Sequence, residues 1–129
     1  MSKEVVRTEN APAPYNGAPY NQAIVAGGLV FVSGQGPLDA ATGAKVGDSV
    51  AEQTERTFDN LAAILEAAGS SLSDVVRASV YLLDMADFGE MNAVYRARMG
   101  EPYPARTTIQ AAGLPGGILV EIDAIALRR

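Results

Sequence analysis

One run near the C-terminus sets two carboxylates among aliphatic side chains: Ile118-Leu119-Val120-Glu121-Ile122-Asp123-Ala124-Ile125-Ala126-Leu127. Read with a period of two, Ile118, Val120, Ile122, Ala124 and Ala126 make one wholly apolar face. Leu119, Glu121, Asp123, Ile125 and Leu127 make the other. Three large aliphatic side chains argue against a simply solvated second face, and two unpaired carboxylates argue against an ordinary core. A carboxylate in a mostly dry setting is what general acid/base chemistry requires. Glu121 is therefore a candidate base or water-positioner, and a paired interface carboxylate is the plainer alternative. Asp123 is expected to serve as a structural ion-pair partner. Two residues apart on one strand, the carboxylates lie about 7 Å from each other and point the same way, so they do not flank a glycosidic bond unaided.

Four further positions have the right chemistry. Arg106, just after Pro104-Ala105, is a candidate clamp for a small carboxylate through two parallel hydrogen bonds, or else an ion-pair partner of Glu121 or Asp123. The segment Ser33-Gly34-Gln35-Gly36 offers a hydroxyl and backbone N–H groups, or simply ends a strand. It is no dinucleotide fingerprint, because no third glycine and no following helix complete it. Tyr20 is a stacking or hydrogen-bonding candidate, or a packing anchor in a proline-rich stretch. Asn92 is a cleft donor or a surface residue.

The chain has no histidine and no cysteine, so Cys/His zinc sites, thiol nucleophiles and histidine-dependent triads are excluded together. Acid/base work falls to carboxylates, tyrosine, lysine or held water. The net charge of −5 and the scattered Lys and Arg argue against a partner of nucleic-acid type. No apolar run approaches the roughly 20 residues that span a bilayer, and Glu4 and Arg7 interrupt any leader pattern, so a cytoplasmic protein without membrane attachment is expected.

Residues 9–23 read as an extended, irregular segment. A hairpin follows, Ala23–Ala26 and Leu29–Ser33 joined by Gly27-Gly28, and residues 39–43 make a further turn. Its second strand sets Leu29, Phe31, Ser33 and Gln35 on one side. Ser49 to Ala68 is the clearest helix, with Ser49 and Glu52 at capping-box spacing, a stripe of Val50, Thr54, Phe58, Leu61, Leu65 and Ala68, and Gly69 at its stop. Val75–Leu83 reads as a strand, with Val76, Ala78, Val80 and Leu82 as its apolar face. Asp84 is placed to cap a second helix with the stripe Phe88, Met91, Val94 or Tyr95, and Met99, ending at Gly100. A short strand at residues 106–110 and the two-carboxylate strand complete the chain, and Arg106 is expected to work with Glu121 across the turn between them. The order β-β-β-α-β-α-β-β predicts a single α+β domain over residues 1–129. Two helices cover one face of a five- or six-stranded mixed sheet. The other face is too apolar for water, which predicts a homo-oligomer.

These pieces in this order resemble the reactive intermediate deaminase (RidA, YjgF-like) family. The resemblance rests on Glu9-Asn10-Ala11-Pro12, Ala18-Pro19-Tyr20-Asn21-Gln22-Ala23, Val32-Ser33-Gly34-Gln35, Asn60-Leu61 through Ala67-Ala68-Gly69, Asn92-Ala93-Val94-Tyr95, Pro104-Ala105-Arg106 and Glu121-Ile122-Asp123-Ala124-Ile125-Ala126. It implies a chorismate-mutase-like homotrimer with clefts between subunits. It implies hydrolysis of enamines and imines such as 2-aminoacrylate to 2-oxo acids and ammonia, with no metal and no cofactor. Arg106 would hold the substrate carboxylate and Glu121 the attacking water. Tyr20, Ser33, Gly34, Asn92 and Thr108 would line the site, Thr108 standing where many members carry cysteine. The alternatives are a non-catalytic carboxylate-binding or chaperone-like trimer and, more weakly, a ribonuclease or translation inhibitor.

Overall fold

The computed structural model describes residues 2–129. Six strands form one mixed sheet: β1 (Glu4–Val6), β2 (Ala23–Ala26), β3 (Leu29–Gln35), β4 (Val75–Leu82), β5 (Ala105–Gln110) and β6 (Val120–Leu127), in the order β1-β2-β3-β6-β4-β5. All neighbours are antiparallel except β4 and β5. The glycine pair between β2 and β3 adopts φ of 60° at Gly27 and 78° at Gly28, the left-handed pair that suits the twist of a two-residue hairpin.

Helix α1 (Val50–Ala67) starts with the expected capping box. Ser49 accepts from the Glu52 N–H, and the Glu52 carboxylate accepts from the Ser49 N–H. Its stripe of Val50, Thr54, Phe58, Leu61, Ile64 and Leu65 is buried against β3 and β6. Gly69, with φ of 79°, ends the turn. Helix α2 (Phe88–Met99) packs beside α1. Asp84 caps a short 3-10 turn (Met85–Asp87) ahead of α2 rather than α2 itself, accepting from the Ala86 N–H at 2.9 Å. Trimming a fully buried side chain such as Leu61 to alanine costs ~2–5 kcal/mol in a layer packed this closely.

Two β-bulges shift the expected faces. Between Val75 and Arg77 the register with β6 slips, so Val75 and Ala78 are both buried while Val76 is exposed, against the alternation expected from the sequence. A second slip between Val32 and Gln35 turns Gln35 into the core, away from the side that holds Leu29, Phe31 and Ser33. The Asn60 side chain of α1 fixes the chain after this bulge by donating to the carbonyls of Gly36 and Leu38, both at 2.9 Å. Gln53 fixes the start of β6, accepting from the Leu119 N–H at 2.7 Å. Helix α1 thus holds the elements that carry Gly34 and Glu121.

Both helices lie on one face of the sheet. The opposite face is open, with Phe31 41% and Ile109 47% exposed and Val5 and Leu127 also uncovered.

Candidate functional site

Glu121 stands on the open face of β6, opposite Tyr81 of β4. It is half-buried, and that burial pushes its carboxyl group up from the ordinary glutamate value, with the neighbouring negative charge of Asp123 adding to the shift. Within the chain Asp123 forms no ion pair among the described residues; it accepts a hydrogen bond from the Tyr81 hydroxyl at 3.0 Å. The Tyr81 phenol is pushed up by that hydrogen bond first and by burial second.

The bulge in β3 brings Gly34 under the Glu121 carboxylate. A Cβ placed on Gly34 would lie 2.9 Å from Glu121 Cδ and closer still to Oε2. Only glycine leaves the carboxylate its position. Tyr20 joins them in a narrow cleft of about 50 Å³, with Tyr15, Pro115 and Ile118 among its other walls. That volume suits a few water molecules and is too small for an amino-acid-sized ligand. Tyr20 is held there by its hydroxyl, which accepts from the Tyr15 N–H at 2.6 Å. The proline-rich approach is organised by buried Gln22, whose side chain donates to the carbonyls of Thr8, Ala11 and Pro12 and accepts from the Thr8 N–H. The Ser33 hydroxyl donates to the Asn21 carbonyl at 2.6 Å and so secures this approach from β3.

Arg106 lies elsewhere. It is paired with Ala78 of β4, whose side chain is buried under the helices, so it shares that helix-covered face. Its guanidinium stacks on Tyr95 of α2 at 4.6 Å and on Phe88 at 5.6 Å. Phe88, expected in the buried stripe of α2, is 39% exposed and serves as an outer wall for this cation. Arg106 makes no ion pair among the described residues. It lines a second cleft of about 250 Å³ with Asn92, Tyr95, Arg96, Tyr103 and Pro104. This volume fits a small acid. Thr108 lies two residues further along the same face of β5.

One chain therefore carries two separate clusters: Tyr20, Gly34 and Glu121 on one cleft, with Ser33 behind it, and Asn92 and Arg106 on the other, with Thr108 beside it. They do not meet. Strand β4 separates β5 from β6, a lateral gap of about 10 Å, and Arg106 is level with Ala124 rather than Glu121, about 10 Å further along. The two side chains also leave opposite faces of the sheet. The expected cooperation of Arg106 with Glu121 across a short turn is thus absent within a chain, because β6 inserts between β3 and β4 instead of pairing with β5. The residues that sequence reasoning passes over are Tyr95 and Tyr103, and the only signal for Tyr95 is a hydroxyl in an otherwise apolar stripe.

A larger concavity, about 740 Å³ between Arg7–Pro14, Asn21-Gln22 and Ala40-Ala41, contains none of these groups. No described helix is long and apolar enough to cross a membrane.

Comparison with known proteins covers nearly the whole chain. Residues 8–128 match the family described as Endoribonuclease L-PSP. A RutC family protein of Pyrococcus abyssi is 48% identical over 128 residues, 99% of each chain. A 2-iminobutanoate/2-iminopropanoate deaminase of Escherichia coli is 42% identical over 132 residues, spanning all of both chains. Among solved structures, RidA of an Antarctic Psychrobacter superposes with a TM-score of 0.91 at 42% identity, over 96% of this chain and 98% of that one.

Proposed function

Because this chain belongs to the Endoribonuclease L-PSP family, the YjgF/RidA family, we propose that it hydrolyses reactive 2-imino acids and their enamine tautomers to 2-oxo acids and ammonia. The observation that carries this reading is an unpaired guanidinium on one small cleft and a carboxyl group raised by burial on another. Two relatives bear the name 2-iminobutanoate/2-iminopropanoate deaminase, which supports the substrate class.

In this reading the protein is a chorismate-mutase-like homotrimer in which the open sheet faces pack together. Each complete site takes Arg106, Asn92 and Thr108 from one protomer and Tyr20, Ser33, Gly34 and Glu121 from the next. The separation of the two half-sites within a chain supports this division, and so does the uncovered apolar face. Arg106 clamps the carboxylate, which points the imine carbon at the Glu121 cleft. That carbon is already electrophilic. Glu121 orients a water and takes one of its protons as the oxygen attacks, and passes that proton to nitrogen to give a carbinolamine; the carbinolamine hydroxyl then gives up the second proton to nitrogen by way of the same carboxylate, the C–N bond breaks, and ammonia leaves as the carbonyl forms. The sum is imine plus water giving oxo acid plus ammonia, with no oxidant and no covalent nucleophile.

The test generates an imino acid with an amino-acid oxidase and follows its decay, with semicarbazide trapping what remains. Wild type should accelerate the loss and Arg106→Ala should not. Equal rates for the two proteins would end the deaminase assignment. RNA cleavage by extensively purified protein that disappears in Arg106→Ala would favour the activity in the family's description instead.

A further inference from the structure

Three buried side-chain atoms have no hydrogen-bond partner among the described residues: Asn92 Oδ1, Tyr95 Oη and Thr108 Oγ1. Asn92 and Tyr95 line the Arg106 cleft from α2, and Thr108 shares the Arg106 face of β5. A buried polar atom without a partner destabilises a fold, and native proteins keep few of them. Two of them belong to residues that line the guanidinium's cleft and the third lies two residues along β5 from Arg106; the two hydroxyls are donors that an anionic ligand there would relieve.

Tyr95 is the informative member, since a phenylalanine would pack in the α2 stripe equally well. Its ring already serves two contacts, edge-on to Phe58 at 5.7 Å and face-on to Arg106 at 4.6 Å. Arg106 also approaches the hydroxyl, without forming a hydrogen bond of good geometry to it, and nothing accepts the hydroxyl's proton. The side chain is only 5% exposed. Burial pushes its phenol up, opposed by the Arg106 charge and by the approach of the Arg106 side chain to the phenol oxygen, so the hydroxyl keeps its proton and remains a donor.

We propose that the Tyr95 hydroxyl binds substrate: with the Arg106 guanidinium and the Thr108 hydroxyl it completes a cradle for one carboxylate. The proposal rests on the reading of Arg106 as the carboxylate clamp and adds donors to it. A carboxylate offers about four lone-pair positions, of which the planar fork of arginine takes two. The two hydroxyls take the others. One carboxylate therefore satisfies both orphaned hydroxyls together. An ester or amide of the same acid cannot, so the cradle selects free acids.

The experiment measures binding of 2-oxobutanoate, a product-class acid, by calorimetry, together with thermal midpoints, for wild type, Tyr95→Phe, Thr108→Val and Arg106→Ala. Tyr95→Phe keeps both ring contacts. It should weaken binding about tenfold, and raise KM far more than it lowers kcat, as expected for a lost hydrogen bond to a charged group. Its thermal midpoint should hold or rise, because an unpartnered hydroxyl has been removed; a structural hydroxyl would lower it. Thr108→Val should move both quantities the same way. Unchanged binding in Tyr95→Phe, or a fallen midpoint, overturns the proposal, while loss of binding in Arg106→Ala leaves the clamp reading standing. Wild-type binding by Arg106→Ala would sink both.

Discussion

A carboxyl group whose folded value is raised binds its proton more tightly in the folded chain than in the unfolded one, and Glu121 is such a group. Its contribution to stability is complete at low pH, below the unfolded value, and is lost as pH rises through the raised folded value. Glu121→Gln should therefore have a higher thermal midpoint than wild type near neutral pH and nearly the same one in acid. The same variant should lose about 10²–10⁴-fold in imine turnover if the carboxylate moves the proton. Asp123 supplies the second part of the shift, and Tyr81, Tyr15 and Tyr20 are the other titratable groups facing Glu121. Asp123→Asn should then displace the acid limb of the kcat/KM profile to lower pH, and an unmoved limb would remove Asp123 from the tuning of Glu121. The residue types are legible in the sequence, because a carboxylate in a greasy strand and an arginine after proline each state a chemistry. The Tyr95 hydroxyl is not, since helical periodicity separates buried from exposed and says nothing of bonded and unbonded.

Elements are legible where local signals agree. The capping box at Ser49, the glycine pair of the hairpin and the stop at Gly69 each name their own structure. The two bulges are not legible, because they arise from pairing with β6, which lies some 90 residues from β3 and some 45 from β4. Their consequence is functional: the bulge in β3 sets Gly34 against the Glu121 carboxylate. Gly34→Ala adds a Cβ where Oε2 now lies, and the carboxylate must swing out of the cleft. The expected outcome is a folded protein with turnover down by about 10²-fold, as a displacement of roughly 1 Å in a reacting group produces. Combining Gly34→Ala with Glu121→Gln should cost little more than Glu121→Gln alone, since both remove the same positioned carboxylate. Fully additive losses would show that Gly34 acts apart from Glu121.

At the scale of the molecule, the uncovered face is legible in the sequence as a strand face too apolar for water, while the separation of Arg106 from Glu121 is not. That separation follows from strand order, which places β4 between Arg106 and Glu121, and from register, which turns their side chains to opposite faces. A trimer whose sites lie between neighbours makes a prediction that no single-chain site can imitate. Arg106→Ala protomers still carry Glu121, and Glu121→Gln protomers still carry Arg106. Each homotrimer should be inactive. When the two are co-expressed in equal amounts and assemble at random, an interface works only if the first neighbour brings Arg106 and the second brings Glu121. With each condition met half the time in a ring of equivalent interfaces, about a quarter of the sites are restored. Imine decay by the purified mixture should approach that fraction of the wild-type rate, with native mass spectrometry reporting mixed trimers. Mixed trimers with no recovered activity would mean that both groups serve one site from the same chain, and the strand order would then have to be wrong.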